Sequence, residues 1–163
     1  MFHGTYLYLS ILNMTNGLEL QVPIIGLCMG ERGVISRILC PKFGGYLTFG
    51  TLGAGKESAP GQPTMSDLLE VYRIKQIGVD TKVYGLIGKP LAQSKSPKLH
   101  NALFKSIGLN AVYVPFLTDN LANFLNTYSS PDFVGFRCVF FFVLQFLNIS
   151  CFCYILALCI FFL

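Results

Sequence analysis

The sequence has no tryptophan, only 2 histidines and few charged residues, which make up 12% of its 163 positions. Its 12 basic and 8 acidic residues form no basic run or basic helix face of the kind that binds nucleic acid, so we expect no nucleic-acid partner. None of the 6 cysteines forms a C-x-x-C pair, and histidine is too scarce to complete a metal cluster. The composition therefore predicts free thiols and no metal site.

A recognisable targeting segment is also absent from the N-terminal region. Residues 6–12 form a short apolar run, but no basic residue precedes it and no small-residue cleavage site follows. The region also lacks the Ser/Arg-rich amphipathic character of a plastid transit peptide. We interpret residues 1–20 as an atypical N-terminal segment and assign no targeting role to it.

Apolar residues, 53% of the chain, are concentrated at the C-terminus. No residue in 139–163 is charged, and the segment is long enough for a helix that crosses a bilayer, which needs about 20 apolar residues. It has no amphipathic period and no helix caps. Two interpretations of the apolar tail, residues 138–163, stay open. It could anchor a non-catalytic membrane-tethered module, or it could be a translated intron, rich in residues with U-rich codons.

Between these ends, strand-like and helix-like segments alternate, which predicts a parallel α/β architecture. In the first half the predicted elements are strands at 22–28 and 46–49 and helices at 33–43 and from near Pro63, the last capped by Thr64 or Ser66. In the second half they are strands at 83–87, 111–117 and 133–136 and helices at 97–107 and 121–128.

A glycine-rich stretch at 50–57 comes close to a phosphate-binding loop. Such a loop needs Ser or Thr directly after Lys56 to hold magnesium, but Glu57 stands there with the wrong charge. The dinucleotide fingerprint fails too, because Ser58 occupies the place of its third glycine. We therefore predict a flexible loop and no nucleotide site.

The first half carries an ordered set of motifs: PIIGLCMGERG at 23–33, ISR at 35–37, FGGYLTFG at 43–50 and SAPGQ at 58–62. Together they resemble the type I 3-dehydroquinate dehydratase family over residues 21–77. The resemblance implies the last two β/α units of an eightfold TIM barrel, in which ligands bind at the C-terminal ends of the strands.

The same resemblance implies substrate contacts. Arg37 would clamp the carboxylate of 3-dehydroquinate, which suits a planar guanidinium, and Ser58 and Gln62 would bond its carboxylate and hydroxyls. The family works through a Schiff-base lysine and a histidine on earlier strands, and no lysine of this chain precedes Pro23. No catalytic residue is therefore expected in this half.

The second half contains VYGLIGKPL at 83–91, SKSP at 94–97 and HN at 100–101. After a linker at 78–82, residues 83–137 resemble the start of the substrate-binding domain of shikimate dehydrogenase. The resemblance implies that Ser94 and Ser96 bind the shikimate carboxylate, although Ser96 before Pro97 is also an ordinary helix start. Beyond Phe136 the sequence turns apolar where the family continues toward its catalytic lysine. Neither that lysine nor the NADP-binding domain is expected in this chain.

In this order the two halves resemble the plant-type bifunctional 3-dehydroquinate dehydratase/shikimate dehydrogenase family. The resemblance implies an enzyme of the shikimate pathway that makes 3-dehydroshikimate from 3-dehydroquinate and reduces it to shikimate with NADPH, in the plastid. The expected partners are these small molecules, with NADP needed only by the complete enzyme. On its own the chain is expected to be an inactive fragment, and membrane contact through 139–163 is the alternative.

Overall fold

A parallel three-stranded sheet organises residues 23–138, the part of the chain that the structure, a computed structural model, describes. Its strands are β1 (Lys82–Gly88), β2 (Ala111–Leu117) and β3 (Phe133–Cys138), and β1 lies between the other two. The strands predicted at 83–87, 111–117 and 133–136 are confirmed, and so is the α/β class. Segment 1–20 and the apolar tail beyond Cys138 lie outside the described residues.

Three α-helices accompany the sheet: α1 (Val34–Ile38), α2 (Ser96–Ser106) and α3 (Leu121–Thr127). Helices α2 and α3 are the crossover connections that parallel strands require. The start of α3 is capped by Asn120, whose side chain accepts a hydrogen bond from the backbone N–H of Asn123 at 2.9 Å. The helices predicted at 97–107 and 121–128 are therefore confirmed.

Residues 23–77 contain less regular structure than the barrel interpretation predicts. No strand forms over 23–28 or 46–49, so both strand predictions are wrong for the described residues. The two stretches meet through a hydrogen bond from the Tyr46 N–H to the Ile24 carbonyl at 2.8 Å. A strand needs a ladder of such bonds, and within 23–77 the structure has just an isolated bridge between Thr51 and Thr64.

The helix predicted at 33–43 is present but short. A 3-10 turn, Glu31–Gly33, leads into α1, which ends at Ile38. The turns after α1 end at Gly44, which has a φ of 78°. The N–H of the next residue, Gly45, bonds to the Cys40 carbonyl at 2.9 Å. A left-handed glycine of this kind commonly ends a helical segment.

The segment that begins near Pro63 is helical, but its middle, Asp67–Val71, is a π-helix. Of the two predicted caps, Thr64 and Ser66, it is Thr64 that caps this segment. Its hydroxyl accepts a hydrogen bond from the Asp67 N–H at 3.0 Å. The i→i+5 bonding widens the turn, so side chains spaced for an α-helix do not form one buried stripe. Leu68 is 1% exposed, whereas Met65 and Leu69 are each 39% exposed.

One apolar core joins the two halves of the chain. On one face of the sheet, residues 23–77 pack against the strands and α3, and α1 contacts β2. The first half contributes Ile35, Ile38, Leu39, Phe43, Leu68 and Ile77, and the second contributes Val83, Ile87, Val112, Val114, Phe116, Leu121, Phe124, Tyr128, Phe133 and Cys138. Helix α2 covers the other face through a smaller cluster that includes Leu86, Phe104 and Tyr113. Residues 23–77 therefore form one of two layers around the sheet.

Within residues 23–138, no helix combines the length and the hydropathy that a membrane span requires. The anchor considered for residues 139–163 falls outside the described residues.

Candidate substrate-contact sites

The turn that carries Ser94 and Ser96 follows the carboxyl end of β1 and leads into α2. The Ser94 N–H bonds to the Leu91 carbonyl at 3.0 Å, and the Ser94 hydroxyl accepts the Ser96 N–H at 3.3 Å. Ser96 is the first residue of α2 and does not cap it, since the N-cap position is Lys95. The capping role considered for Ser96 is therefore wrong, and no side-chain hydrogen bond caps α2 in the described part of the chain.

The two serine hydroxyls differ in their hydrogen bonds. Both are half-buried, but the Ser96 hydroxyl has no hydrogen-bond partner within residues 23–138, whereas Ser94 is tied to the backbone. In parallel α/β sheets, ligands bind in the crevice beyond the carboxyl ends of the strands. Ser96 therefore has a hydroxyl that can donate to a ligand oxygen at this edge.

Asn101 holds α2 against the sheet and so determines where the serine turn lies. Its buried side chain donates to the Tyr113 carbonyl and accepts the Tyr113 N–H, both at 2.8 Å. The preceding His100 stacks on the Tyr113 ring with centroids 4.2 Å apart. Burial raises the pKa of the Tyr113 phenol to about 12. Sequence reasoning missed this role of Asn101, for which the HN pair in the motif was the available signal.

A cluster of charges stands next to the serine turn. Lys89, directly after β1, forms an ion pair with Asp119, with Nζ and Oδ1 3.2 Å apart. Arg32, from the first half, donates Nη2 to the other carboxylate oxygen. The Arg32 bond first, and then the Lys89 bond, hold the pKa of Asp119 below its ordinary value. Sequence analysis missed this cluster, because Arg32 and Asp119 are 87 residues apart and share no local motif.

Arg37 is buried in α1, with 1% of its surface exposed. Its Nη2 lies 3.9 Å from the Met29 sulfur, its Nε has no hydrogen-bond partner, and no carboxylate within 23–138 pairs with it. Burial lowers the pKa of the guanidinium, an effect that the nearby Cys28 partly opposes. Because buried charges are ordinarily paired, Arg37 has unused capacity to bind an anion.

Two glycines bring separate loops of the first half together. The Gly30 N–H bonds to the Pro60 carbonyl at 3.0 Å, and a Cβ on Gly61 would lie 2.1 Å from the Gly30 oxygen. Gly61 also has a φ of 75°, so both the space and the backbone require glycine there. The loop that contains Met29 and the loop at 58–62 are consequently neighbours.

Ser58 and Gln62 meet each other within this second loop. The Ser58 N–H and hydroxyl both donate to the Gln62 side-chain oxygen, at 2.9 and 3.1 Å. No hydrogen bond joins either residue to Arg37 in the described part of the chain. Of the three residues predicted for 3-dehydroquinate, the structure thus joins Ser58 to Gln62, with Arg37 connected through the Met29 loop.

The glycine-rich stretch at 50–57 does not fit a nucleotide phosphate. The Gly55 N–H donates to the Glu57 carboxylate at 3.0 Å, so the loop's own anion occupies a donor that a phosphate would use. Residues 23–138 also contain no group of His, Cys, Asp and Glu side chains that could hold a metal ion.

Two protein families match the chain in tandem. The family described as type I 3-dehydroquinase matches residues 8–79, and the shikimate dehydrogenase substrate binding domain matches residues 86–140. The first match begins ahead of residue 21, where the resemblance was predicted to start.

Individual relatives carry both of these functions or one. The chain is 66% identical over 118 residues to the chloroplastic bifunctional 3-dehydroquinate dehydratase/shikimate dehydrogenase of Arabidopsis thaliana, a match that covers 72% of this chain and 20% of that protein. It is 48% identical over 60 residues to a shikimate dehydrogenase (NADP(+)) of Pyrococcus furiosus, covering 36% of this chain and 22% of the relative. The chain thus spans about a fifth of the length of these curated relatives.

A solved structure with the same pair of names also matches. It is the dehydroquinate dehydratase and shikimate dehydrogenase from S. pombe, 29% identical, with 88% of this chain and 27% of that chain covered and a TM-score of 0.36. The two tandem matches and the Arabidopsis relative show that the chain is similar to part of a bifunctional 3-dehydroquinate dehydratase/shikimate dehydrogenase.

Proposed function

We propose that the chain carries substrate-contact parts of a bifunctional shikimate-pathway enzyme and catalyses neither reaction by itself. The complete protein would dehydrate 3-dehydroquinate and reduce the product to shikimate, in the plastid, as the name of the Arabidopsis relative suggests. The observation that carries the proposal is the buried Arg37 guanidinium, which has no carboxylate partner within residues 23–138. Both substrates are carboxylates.

For 3-dehydroquinate, Arg37 is the proposed anion contact. A guanidinium binds a carboxylate through two parallel N–H bonds, and here it lies in a buried setting where such bonds are strong. Ser58 and Gln62 would exchange their mutual hydrogen bonds for bonds to the ligand, which needs only a local change in an exposed loop. We propose that residues 21–77 adopt the regular β/α units of a barrel when the rest of that barrel pairs with them.

For shikimate, Ser94 and Ser96 are the proposed carboxylate contacts. The Ser96 hydroxyl is available, and the Asn101 clamp on Tyr113 keeps the start of α2 in place before a ligand arrives. Preorganisation of this kind lowers the entropic cost of binding.

No lysine is proposed as a nucleophile or a proton donor. Lys42 is bonded to Asp132 and to the Val79 carbonyl, and Lys89 is paired with Asp119. NADPH would supply the hydride for the reductase reaction and become NADP, and the complete protein would bind it outside residues 23–138. The glycine stretch at 50–57 is excluded as its site, because Glu57 competes for the loop amide.

Titration of 3-dehydroquinate and shikimate into the full 163-residue chain, followed by NMR, tests the proposal. Each hydrogen bond to a charged group contributes about 1.5–3 kcal/mol against an association cost of at least about 4 kcal/mol, so we expect affinities near the millimolar range. Arg37→Met should abolish dehydroquinate binding, and a Ser94→Ala/Ser96→Ala double variant should abolish shikimate binding. The matched control Lys75→Met removes an exposed charge of the first half and should change neither.

The assignment fails if the site variants still bind their ligands, or if Lys75→Met loses binding as well. Steady formation of 3-dehydroshikimate by the purified chain would contradict the absence of catalysis.

A further inference from the structure

We propose that Asp119 is a positioning residue that couples the serine turn to the first half of the chain, holding Lys89 with one carboxylate oxygen and Arg32 with the other. The proposal rests on the proposed function only in taking Ser94 and Ser96 as shikimate contacts. The coupling itself is a property of the ion cluster.

The sheet places Lys89 and Asp119 side by side. Gly88, the last residue of β1, pairs with Leu117 of β2, so the residues that follow both strands leave the same edge together. The Nζ of Lys89 lies 3.2 Å from Oδ1 of Asp119. Lys89 opens the turn that leads to Ser94, so this ion pair fixes the beginning of that turn.

Buried contacts keep Asp119 itself in place. The fully buried Thr118 donates its hydroxyl to the Asn120 carbonyl and accepts the Asn120 N–H, both at 3.1 Å. The backbone around residue 119 is therefore pinned on either side. The point from which its side chain extends is therefore set independently of either cation.

Arg32 extends the cluster to the loops of the first half. It belongs to the 3-10 turn Glu31–Gly33, which directly follows Gly30. Gly30 bonds to Pro60 in the loop that holds Ser58 and Gln62. A continuous path of contacts therefore runs from the dehydroquinate loops through Arg32, Asp119 and Lys89 to the serine turn.

A positioning role and a purely electrostatic role predict opposite effects of neutralising Asp119. If the carboxylate merely offset positive charge, Asp119→Asn would make the local potential more positive and would strengthen the binding of an anionic ligand. If it holds the turn, the same change loosens the serines and weakens binding. We expect about a two- to fivefold weakening, the scale of a partly exposed ion pair.

The first test needs no ligand. Amide NMR spectra of the full chain are compared between wild type, Arg32→Gln and Lys75→Gln. Coupling predicts that Arg32→Gln shifts the amides of residues 88–96, in the other half, whereas Lys75→Gln leaves them unmoved. Unmoved amides at 88–96 in Arg32→Gln overturn the proposal.

The second test is a shikimate titration of the Asp119→Asn variant, with Asp80→Asn as the control for loss of an exposed carboxylate. Weaker binding in Asp119→Asn alone supports the proposal, and equal or tighter binding overturns it. If the wild-type chain does not bind shikimate, the proposed function fails, and the amide shifts alone then decide for or against the coupling.

Discussion

Residues 82–138 and residues 23–77 both contain apolar runs typical of strands, but strands form in residues 82–138 alone of these two regions. The later region forms a sheet in which β1 is paired on both sides. In the earlier region the apolar runs form no strand, and its helical pieces are short. An apolar run becomes a strand only when a neighbouring strand can satisfy its backbone, and otherwise its side chains pack on whatever apolar surface is near. Here Ile24 packs against the core on one face of the sheet, whereas Ile25, Tyr46, Leu47 and Phe49 stay exposed.

A buried lysine ties the two regions together away from the core. The Nζ of Lys42 donates to the Val79 carbonyl at 2.5 Å and to the Asp132 carboxylate at 2.9 Å. The Asp132 carbonyl in turn accepts the Val83 N–H at 2.9 Å, where β1 begins. Lys42 therefore joins the first region to the linker and to the start of the sheet. Its buried positive charge is paired with the carboxylate of Asp132.

The largest expected effect is that of shortening a buried side chain in residues 23–77 on the stability of the sheet in residues 82–138. Ile38 is fully buried in α1, and Ile38→Ala should destabilise the sheet by about 2–5 kcal/mol because a cavity forms in the shared core. Urea denaturation measures it, followed through hydrogen exchange of the amides in β1 and β2. Leu52→Ala, at a residue 92% exposed, is the matched control and should change little. If Ile38→Ala leaves the sheet amides as protected as in wild type, the two regions are not one core.

The Lys42 contact should have the next largest effect. Asp132→Ala removes the carboxylate and leaves the buried Lys42 ammonium bonded to the Val79 carbonyl. We expect the free energy of unfolding to fall by about 1.5–3 kcal/mol. Asp80→Ala, in the exposed part of the linker, controls for net charge. Equal stability of the two variants in thermal denaturation would show that this contact does not hold the regions together.

Matched helix caps sharpen the comparison further. Thr64 caps the π-helical segment of the first region and Asn120 caps α3 of the second, each by accepting a backbone N–H. Replacing either by alanine should cost about 1 kcal/mol. Because the regions share a core, both variants should lower the same unfolding midpoint by similar amounts. Separate transitions, each sensitive to one cap alone, would refute this.

The smallest effect concerns pH. The Arg32 and Lys89 contacts lower the pKa of Asp119 in the folded chain, so they contribute stability at neutral pH that is lost as pH falls through this lowered pKa. The stability difference between wild type and Asp119→Asn should therefore shrink once the pH drops below the ordinary value of 3.8. Denaturation midpoints over an acid series measure it, and a difference that grows toward low pH would have the wrong sign.

The second region was predictable because its signals are local. The run at 111–117 matches β2 residue for residue, and Ser96-Pro97 lies at the start of α2. The serine turn followed from a motif of adjacent residues. These features depend on side chains close together in the sequence, which patterns record directly.

The first region was predicted less well because its structure depends on distant contacts. The bonds Arg32–Asp119 and Lys42–Asp132 join residues 87 and 90 positions apart, and neither partner belongs to a shared motif. The strand at 46–49 failed for a similar reason, since a strand needs a partner that the apolar pattern does not identify. The burial of Arg37 likewise arises from this packing, although its position in α1 was expected.

Native-state hydrogen exchange of the full chain tests the shared core most directly. We predict that the Leu39 amide, bonded to the Ile35 carbonyl, and the amide of Val114 at the centre of β2 exchange through the same global opening, with equal free energies and equal denaturant dependence. Rapid exchange at Leu39 while Val114 stays fully protected would contradict the account.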